Sequence, residues 1–363
     1  MIDELNNSDP VTLQTYERYM SRCLQLATYG QTYVAPNPMV GAVIVCDGQI
    51  IGEGYHHKYG QAHAEPNAIR SVKNPELLKR STLYVNLEPC SHYGKTPPCA
   101  NLIVQTGIPK VVIGTLDPNP KVAGRGVKIM QTAGIEVVSG VLENKCRDLN
   151  KRFFIFQEEK RPFVLIKWAQ TKDGYIDKLR DDSIEKPLRI SNDITCQLTH
   201  KMRSENQSIL VSTNTVIMDN PSLTVRYWAG RNPVRISIDR QGRIPADRQL
   251  FDGQTATIIF TTDKRQKREN LEFIDVDFDN QPLKEILKKI YEKNIHSVMV
   301  EGGAQLLNSF IDQGLWDEAN IEISDSTAGS GIKAPVIDIT PSESHIFENH
   351  QWLHYINIYK KFG

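Results

Sequence analysis

The stretch that most constrains this chain is His63-Ala64-Glu65, answered by Pro89-Cys90 and, after eight intervening residues, by Cys99. One imidazole and two thiolates are a sufficient protein ligand set for a tetrahedral zinc, and they leave the fourth position open to water. Zinc lowers the pKa of such a water to about 7, which makes a nucleophile available at neutral pH. Glu65 stands two residues from the histidine, so it can lean over the metal and move protons without ligating it. Any fold of this chain must bring these two segments to one point.

The order His-x-Glu, Pro-Cys, Cys is that of the zinc deaminases, with the glutamate as general acid/base. The gap of eight residues departs from the usual Cys-x-x-Cys. Two other readings stand beside it. A structural zinc would recruit His92 as a fourth ligand, and a cysteine can be buried for packing alone.

Local pattern places the motif. Tyr16, Tyr19, Met20, Cys23, Leu24 and Ala27 recur at three-and-four spacing and predict an amphipathic helix ending near Gly30. Met39–Cys46 and Gln49–Gly54 flank Asp47-Gly48 and predict a β-hairpin. A helix is expected from about Ala62, with His63 and Glu65 in its first turn. Thr82–Leu87 reads as a strand delivering Cys90, followed by a helix at Asn101–Thr106, a strand at Lys110–Leu116, a helix at Val127–Ala133 and a strand at Ile135–Ser139. Such alternation predicts a three-layer α/β sandwich with parallel strands. Ligands in such sheets lie beyond strand C-termini, where Cys90 and Asp117 fall.

Leu142–Gln157 reads as one connecting helix, and the charged run Glu158–Arg161 before Pro162 as a solvated joint. The expected domains are therefore 1–157 and 162–363. In the second, strands are expected at Phe163–Ala169, Ile209–Val211, Val234–Ile238, Thr257–Phe260, Phe273–Val276, Ser297–Glu301, Glu318–Ile323 and Trp352–Tyr359. Helices are expected at Asp193–Ser204, Leu283–Lys293 and Ala304–Gln313, and Thr215–Met218 is expected to enter a turn at Asp219-Asn220-Pro221. The result is a second α/β domain with a mostly parallel sheet. Asp325–His345 shows no usable period. No Gly-x-Gly-x-x-Gly follows a strand, which argues against a Rossmann site. Val298–Glu301 running into Gly302-Gly303 and a helix suits a phosphate, or is a plain tight turn.

Taken with Ala35-Pro36-Asn37-Pro38-Met39-Val40-Gly41, Gly54-Tyr55-His56, Glu88–His92, Thr96–Cys99 and Asp117-Pro118-Asn119-Pro120, the zinc motif resembles the bifunctional riboflavin-biosynthesis deaminase–reductase family. Lys167–Gly174, Thr215-Val216, Asp219–Arg226 and Glu301-Gly302-Gly303 are similar to its reductase half. The resemblance implies a cytidine-deaminase-like sandwich followed by a dihydrofolate-reductase-like domain, with one zinc per chain and NADPH. It implies deamination of a diaminopyrimidinone bearing a ribosylamino phosphate, then reduction of ribosyl to ribityl. His63, Cys90 and Cys99 would hold zinc and Glu65 would be catalytic. Asn37, His56, His92, Lys95, Asp117 and Asn119 would face the deaminase substrate. Lys167, Arg203, Leu223, Arg226 and Glu301 would face the reductase substrate, and Ala169, Thr215, Asp219, Gly302 and Gly303 the cofactor. Arg203 and Arg226 suit a bidentate grip on phosphate, or are surface ion pairs. Three places depart from the family pattern: Pro66-Asn67, Arg189 and Ser324–Gly331.

Composition narrows the partners. Lys+Arg and Asp+Glu are both 43, so no global basic field argues for nucleic acid or an anionic membrane. No apolar run approaches the ~18 residues of a membrane helix. Six cysteines without a paired pattern predict a reduced, cytoplasmic protein, and a homo-oligomer is left open. The rival functions are a nucleic-acid base deaminase, a deaminase with an inactive second domain, and a zinc-stabilised binding module in which Glu65 would be dispensable.

Overall fold

The structure is a computed structural model that describes residues 10–91, 98–119, 123–263 and 265–359. The chain divides into two compact units, Met1–Lys160 and Arg161–Gly363.

In the first unit the elements are α1 (Pro10–Thr28), β1 (Gly41–Cys46), β2 (Gln49–Tyr55), α2 (Ala64–Ser71), β3 (Thr82–Leu87), α3 (Cys99–Thr106), β4 (Lys110–Thr115), α4 (Arg125–Thr132), β5 (Glu136–Ser139), α5 (Glu143–Leu149) and α6 (Lys151–Glu159). The sheet order is β2-β1-β3-β4-β5. It is mixed: β1 runs antiparallel to both neighbours, whereas β3, β4 and β5 are parallel. The expectation of parallel strands holds only for those three, because a two-residue Asp47-Gly48 turn can join only antiparallel neighbours. Alternating side chains face opposite layers. Val43, Val45, Tyr84, Val112 and Val138 pack with Tyr16, Tyr19, Met20 and Cys23 of α1. Ala42, Ile44, Leu83, Val85, Val111 and Ile113 pack with α2, α3 and α4 on the other face. That two-sided burial is the three-layer sandwich the sequence predicts.

Two local differences have physical causes. The segment 142–157 is two helices, since Asn150 breaks the run and spends its side chain on both main-chain polar groups of Met39, at 2.8 and 2.9 Å. Arg161, read as part of a solvated joint, is buried and grips Asp317 at 2.6 and 2.9 Å, which also accepts from the Val164 amide at 2.8 Å.

The second unit contains β6 (Phe163–Gln170), β7 (Tyr175–Asp177), α7 (Asp193–Glu205), β8 (Ser208–Ser212), α8 (Thr213–Asp219), β9 (Val234–Ile238), β10 (Thr257–Phe260), β11 (Leu271–Ile274), α9 (Pro282–Glu292), β12 (Ser297–Gly302), α10 (Ala304–Asp312), β13 (Glu318–Ile323), β14 (Ile332–Lys333), β15 (Glu343–Phe347) and β16 (His350–Ile356). Its main sheet runs β11-β10-β9-β8-β12-β6-β13-β16-β15, parallel from β11 to β13 with an antiparallel hairpin at the edge. Leu283, Ile286, Leu287 and Ile290 of α9 and Leu306, Leu307 and Phe310 of α10 close one face. The sequence pattern missed α8, whose start is capped by Ser212 Oγ accepting from the Thr215 amide at 3.2 Å. It also missed β14 and β15, two short strands whose side chains are largely exposed and so carry no alternating apolar signal.

Candidate active sites

In the first unit, α2 and α3 converge on one point. His63 is the N-cap of α2, in extended conformation, rather than a first-turn residue, and Glu65 follows inside the helix. Offset across the helix start, the two side chains escape the constraint that residues i and i+2 face apart. Gly54 makes the approach of α2 to β2 possible, since a Cβ there would fall 2.3 Å from the Ala68 nitrogen. Cys90 follows the C-terminal end of β3, and Cys99 is the first residue of α3. The Cys99 and Ala100 amides donate back to the Cys90 sulfur at 3.3 Å and the Cys90 carbonyl at 3.2 Å.

His63 Nδ1 lies 3.6 Å from Cys90 Sγ and 3.4 Å from Cys99 Sγ, and the three donor atoms all fall within 4.8 Å of one another. Hydrogen bonding to Cys99 and His63 holds the Cys90 thiol well below its usual range, while the same pairing and burial push Cys99 up. One soft donor set, part-buried, with a thiol already poised to ionise, fits a borderline-soft cation such as zinc. Glu65 is buried, and its Oε2 has no hydrogen-bond partner. Burial, then the Cys90 charge, raises its pKa to about 7. A buried carboxylate oxygen left open beside three metal donors is an acceptor kept for something that arrives.

Beside His63, with ring centroids 5.3 Å apart, stands His56. Its Nδ1 donates to the Ala62 carbonyl at 3.0 Å and its Nε2 accepts from Asn37 Nδ2 at 3.1 Å, and burial lowers its pKa. His56 is thus a neutral imidazole that aims the Asn37 amide. Asn67, one of the departures, donates to the Tyr55 and Ala62 carbonyls at 2.8 and 3.4 Å. Asp117 and Asn119 lie in the loop after β4, where the Asn119 amide donates to Asp117 Oδ1 at 2.8 Å. His92 and Lys95 lie outside the described residues.

The family resemblance assigns Glu88 no role. Its buried carboxylate accepts four main-chain amides, from Asp117 (3.1 Å), Gly124 (3.0 Å), Gly126 (2.9 Å) and Val127 (3.4 Å). A charged residue between an apolar strand and the Pro-Cys was the available signal. Asn86 acts similarly one turn of strand earlier, accepting from the Gly41 amide at 2.8 Å.

The second unit has a cavity of about 750 Å³ across the C-terminal ends of β9, β8, β12 and β6. Lys167, Ala169, Thr215, Asp219, Glu301, Gly302 and Gly303 line it, whereas Arg203, Leu223 and Arg226 do not. Arg203 reaches the cavity through Glu301, which it holds by two hydrogen bonds of 2.9 and 2.8 Å. Burial opposes the Glu301 charge, but Arg203, with Lys167, outweighs it and leaves Glu301 below its usual range. Leu223 packs in the core with Ile209, Val211 and Val216, so any ligand contact from it would come through its main chain. The Arg226 side chain bonds Ser222 and Thr224, and its amide donates to His200 Nδ1 at 3.0 Å. Asp219 pairs with Arg180, which Asp177 also holds at 2.6 Å.

At the Gly302-Gly303 turn, the Gly303 amide donates to Thr215 Oγ1 at 3.0 Å. A Cβ on Gly303 would fall 3.0 Å from Ser212 Oγ, and one on Gly302 3.4 Å from Thr215 Oγ1. The bare backbone leaves a hydroxyl-lined cradle at the start of α10, which suits a phosphate. Among the departures, Arg189 is exposed and pairs with Asp193 at 2.9 Å. The Ser324–Gly331 segment is tied down by Asp173, which accepts from the Ala328 and Gly329 amides at 3.0 and 2.7 Å.

Fold and sites together define a zinc-type deaminase unit followed by a separate parallel-sheet α/β unit with its own cavity. Residues 13–115 match the cytidine and deoxycytidylate deaminase zinc-binding region, and residues 162–352 match the RibD C-terminal domain. The riboflavin biosynthesis protein RibD of Aquifex aeolicus is 40% identical, with 91% of this chain and 92% of that protein covered. The Escherichia coli protein of the same name is 36% identical over 86% and 89%. The crystal structure of a diaminohydroxyphosphoribosylaminopyrimidine deaminase/5-amino-6-(5-phosphoribosylamino)uracil reductase from Thermotoga maritima superposes with a TM-score of 0.85 at 37% identity, covering 95% and 99%. RibD of Acinetobacter baumannii gives 0.86 at 31% over the same shares. The chain belongs to the RibD family of bifunctional riboflavin biosynthesis enzymes.

Proposed function

We propose that this chain carries out two successive steps of riboflavin biosynthesis. Residues 1–157 hydrolyse the exocyclic amine of 2,5-diamino-6-(5-phosphoribosylamino)pyrimidin-4(3H)-one, releasing ammonia. Residues 162–363 then reduce the ribosyl group of the product to ribityl with NADPH. The observation that carries the first step is the cluster of His63, Cys90 and Cys99 donors within 4.8 Å beside the open Glu65 Oε2. The observation that carries the second is the glycine cradle with the buried Lys167 and the Arg203-held Glu301 around one cavity.

His63, Cys90 and Cys99 would hold one zinc per chain. Zinc bound there supplies Lewis acidity that brings water toward ionisation near neutral pH. Glu65 takes up the proton at Oε2 and passes it to the departing amine, a transfer that needs the carboxylate within hydrogen-bond reach and free of other partners. Asn37, oriented by His56, donates to the pyrimidine ring. Asp117 and Asn119, on the loop that Glu88 holds, face the same ligand, and His92 and Lys95 join that site by resemblance to the family.

In the reductase cavity the nicotinamide cofactor supplies the reducing equivalent. Gly302, Gly303 and Thr215 cradle its phosphates, Ala169 flanks the ring and Asp219, steadied by Arg180, closes the pocket. Lys167 and Glu301 bind the ribosyl hydroxyls. Arg203 keeps Glu301 ionised and Leu223 contributes its main chain, whereas Arg226 stands outside the cavity lining, tied to Ser222 and Thr224.

The substrate is a small molecule. Equal numbers of acidic and basic residues support a reading without nucleic-acid or membrane partners, and among the described residues no helix is long and apolar enough to cross a membrane. All six cysteines are free, which supports the reducing cytoplasm. Incubating purified protein with the diaminopyrimidine phosphate, with and without NADPH, tests the reading: ammonia is expected in both samples and cofactor oxidation only after deamination.

A further inference from the structure

Three cations line the reductase cavity among the described residues: Lys167, Arg180 and Arg243. Arg180 is matched by Asp177 and Asp219, and Lys167 interacts with Glu301. Arg243 has no carboxylate within ion-pairing distance among the described residues. Its guanidinium instead makes a neutral contact, a 3.4 Å hydrogen bond to Asn214 Oδ1. It is exposed at the cavity rim, yet its main chain is fixed. Asp239, itself buried, accepts the Arg243 amide at 2.8 Å and the Ile244 amide at 3.0 Å. A surface arginine tethered in this way has its position set while its charge stays unmatched.

The sheet order says what it waits for. Reading across the strand ends, β6 carries Lys167 and Ala169, β12 ends in Glu301-Gly302, β8 ends in Ser212 and β9 ends in Ile238, one residue before Asp239. The Lys167–Glu301 end is where reduction is placed, and the Gly302-Gly303–Ser212 cradle lies over β12 and β8. Adjacent strands are about 4.8 Å apart, so a ribose linked to a phosphate in that cradle reaches the end of β9. The adenosine half of the cofactor thus falls on the side where Arg243 stands.

Resting on the assignment of this cavity to a nicotinamide cofactor, we propose that Arg243 binds the 2′-phosphate of NADPH and so makes the reductase prefer NADPH over NADH. A planar guanidinium pairs with a phosphate dianion through two N–H groups, an arrangement a ribose 2′-hydroxyl cannot repay.

The test is calorimetric titration of the full-length protein and of Arg243→Gln with 2′,5′-ADP and with 5′-ADP. The substitution is at an exposed side chain, and the main-chain bonds to Asp239 are unchanged, so the variant retains its fold. The expected result is that the parent binds 2′,5′-ADP more tightly than 5′-ADP, and that Arg243→Gln loses roughly 10- to 100-fold for the former, the range of a charge-assisted contact. Affinity for 5′-ADP stays within about twofold. Equal loss for both nucleotides, or none for either, overturns the proposal. If the parent binds NADP and NAD equally well, Arg243 is no selector although the cavity is still a cofactor site. If the parent binds neither, the cofactor reading of the cavity falls and the proposal falls with it.

Discussion

Arg203 and Glu301 meet as a two-point ion pair, Nε to Oε2 at 2.9 Å and Nη2 to Oε1 at 2.8 Å. One comes from α7 and the other from the end of β12, so the pair ties a helix to the cavity floor. Arg203→Ala should leave the part-buried Glu301 with only Lys167 to oppose its charge, a loss of about 1–3 kcal/mol, read by urea unfolding. Adding Glu301→Gln should restore much of that stability while NADPH oxidation stays absent. An Arg203→Ala protein as stable as its parent would contradict the pairing.

That pair also shows where the sequence stops being informative. The zinc set was legible because metal ligation demands particular residue types at particular spacing, and His63, Cys90 and Cys99 converge in space. Strands such as Thr82–Leu87 were legible because a short apolar, β-branched run marks a strand buried on both faces. The Arg203–Glu301 pairing was not, since two charges 98 residues apart carry no local signal of each other. Nor was Leu223, whose family role hid a core side chain. Asn150 shows the converse: a helical period ran through it, and a tertiary bond to Met39 broke the helix.

His200 supplies a pH dependence. Burial, then the charges of Arg203 and Arg226, lowers its pKa from 6.5 to about 4. The unfolded chain therefore binds this proton at a higher pH than the folded one. Its contribution is whole above pH 6.5 and is lost as pH falls toward 4, at most ~1.4 kcal/mol per unit. His200→Asn should flatten the fall in unfolding free energy of the second unit between pH 7 and 5. An unchanged slope would show that His200 is not buried neutral.

Glu88 is expected to be structural for the deaminase site. Its four amide donors need a carboxylate with two accepting oxygens, and Glu88→Gln replaces one of them with a donor facing main-chain N–H groups. A cost of about 1–3 kcal/mol follows, with a raised KM for ammonia release because Asp117 and Asn119 lose their support. Zinc content should remain near one per chain. Metal loss in Glu88→Gln would place Glu88 closer to the ligands than this structure does.

The two chemistries should separate. Lys167 belongs to the second unit and the zinc donors to the first. Lys167→Ala should cut NADPH oxidation by one to two decades, the rate equivalent of roughly 1.5–3 kcal/mol. Ammonia release should be unaltered and the deaminated intermediate should accumulate. Equal loss of both steps would mean that the units act as one cooperative machine.

Glu65 is expected to move protons beside a zinc that it does not bind. The decisive experiment measures zinc content and ammonia release together on Glu65→Gln, with Cys90→Ser alongside as the metal-loss control. Glu65→Gln should retain about one zinc per chain, as a three-ligand mononuclear site implies, and release no ammonia above background. A Glu65→Gln protein that still deaminates, or one that loses its zinc as Cys90→Ser does, would contradict the account.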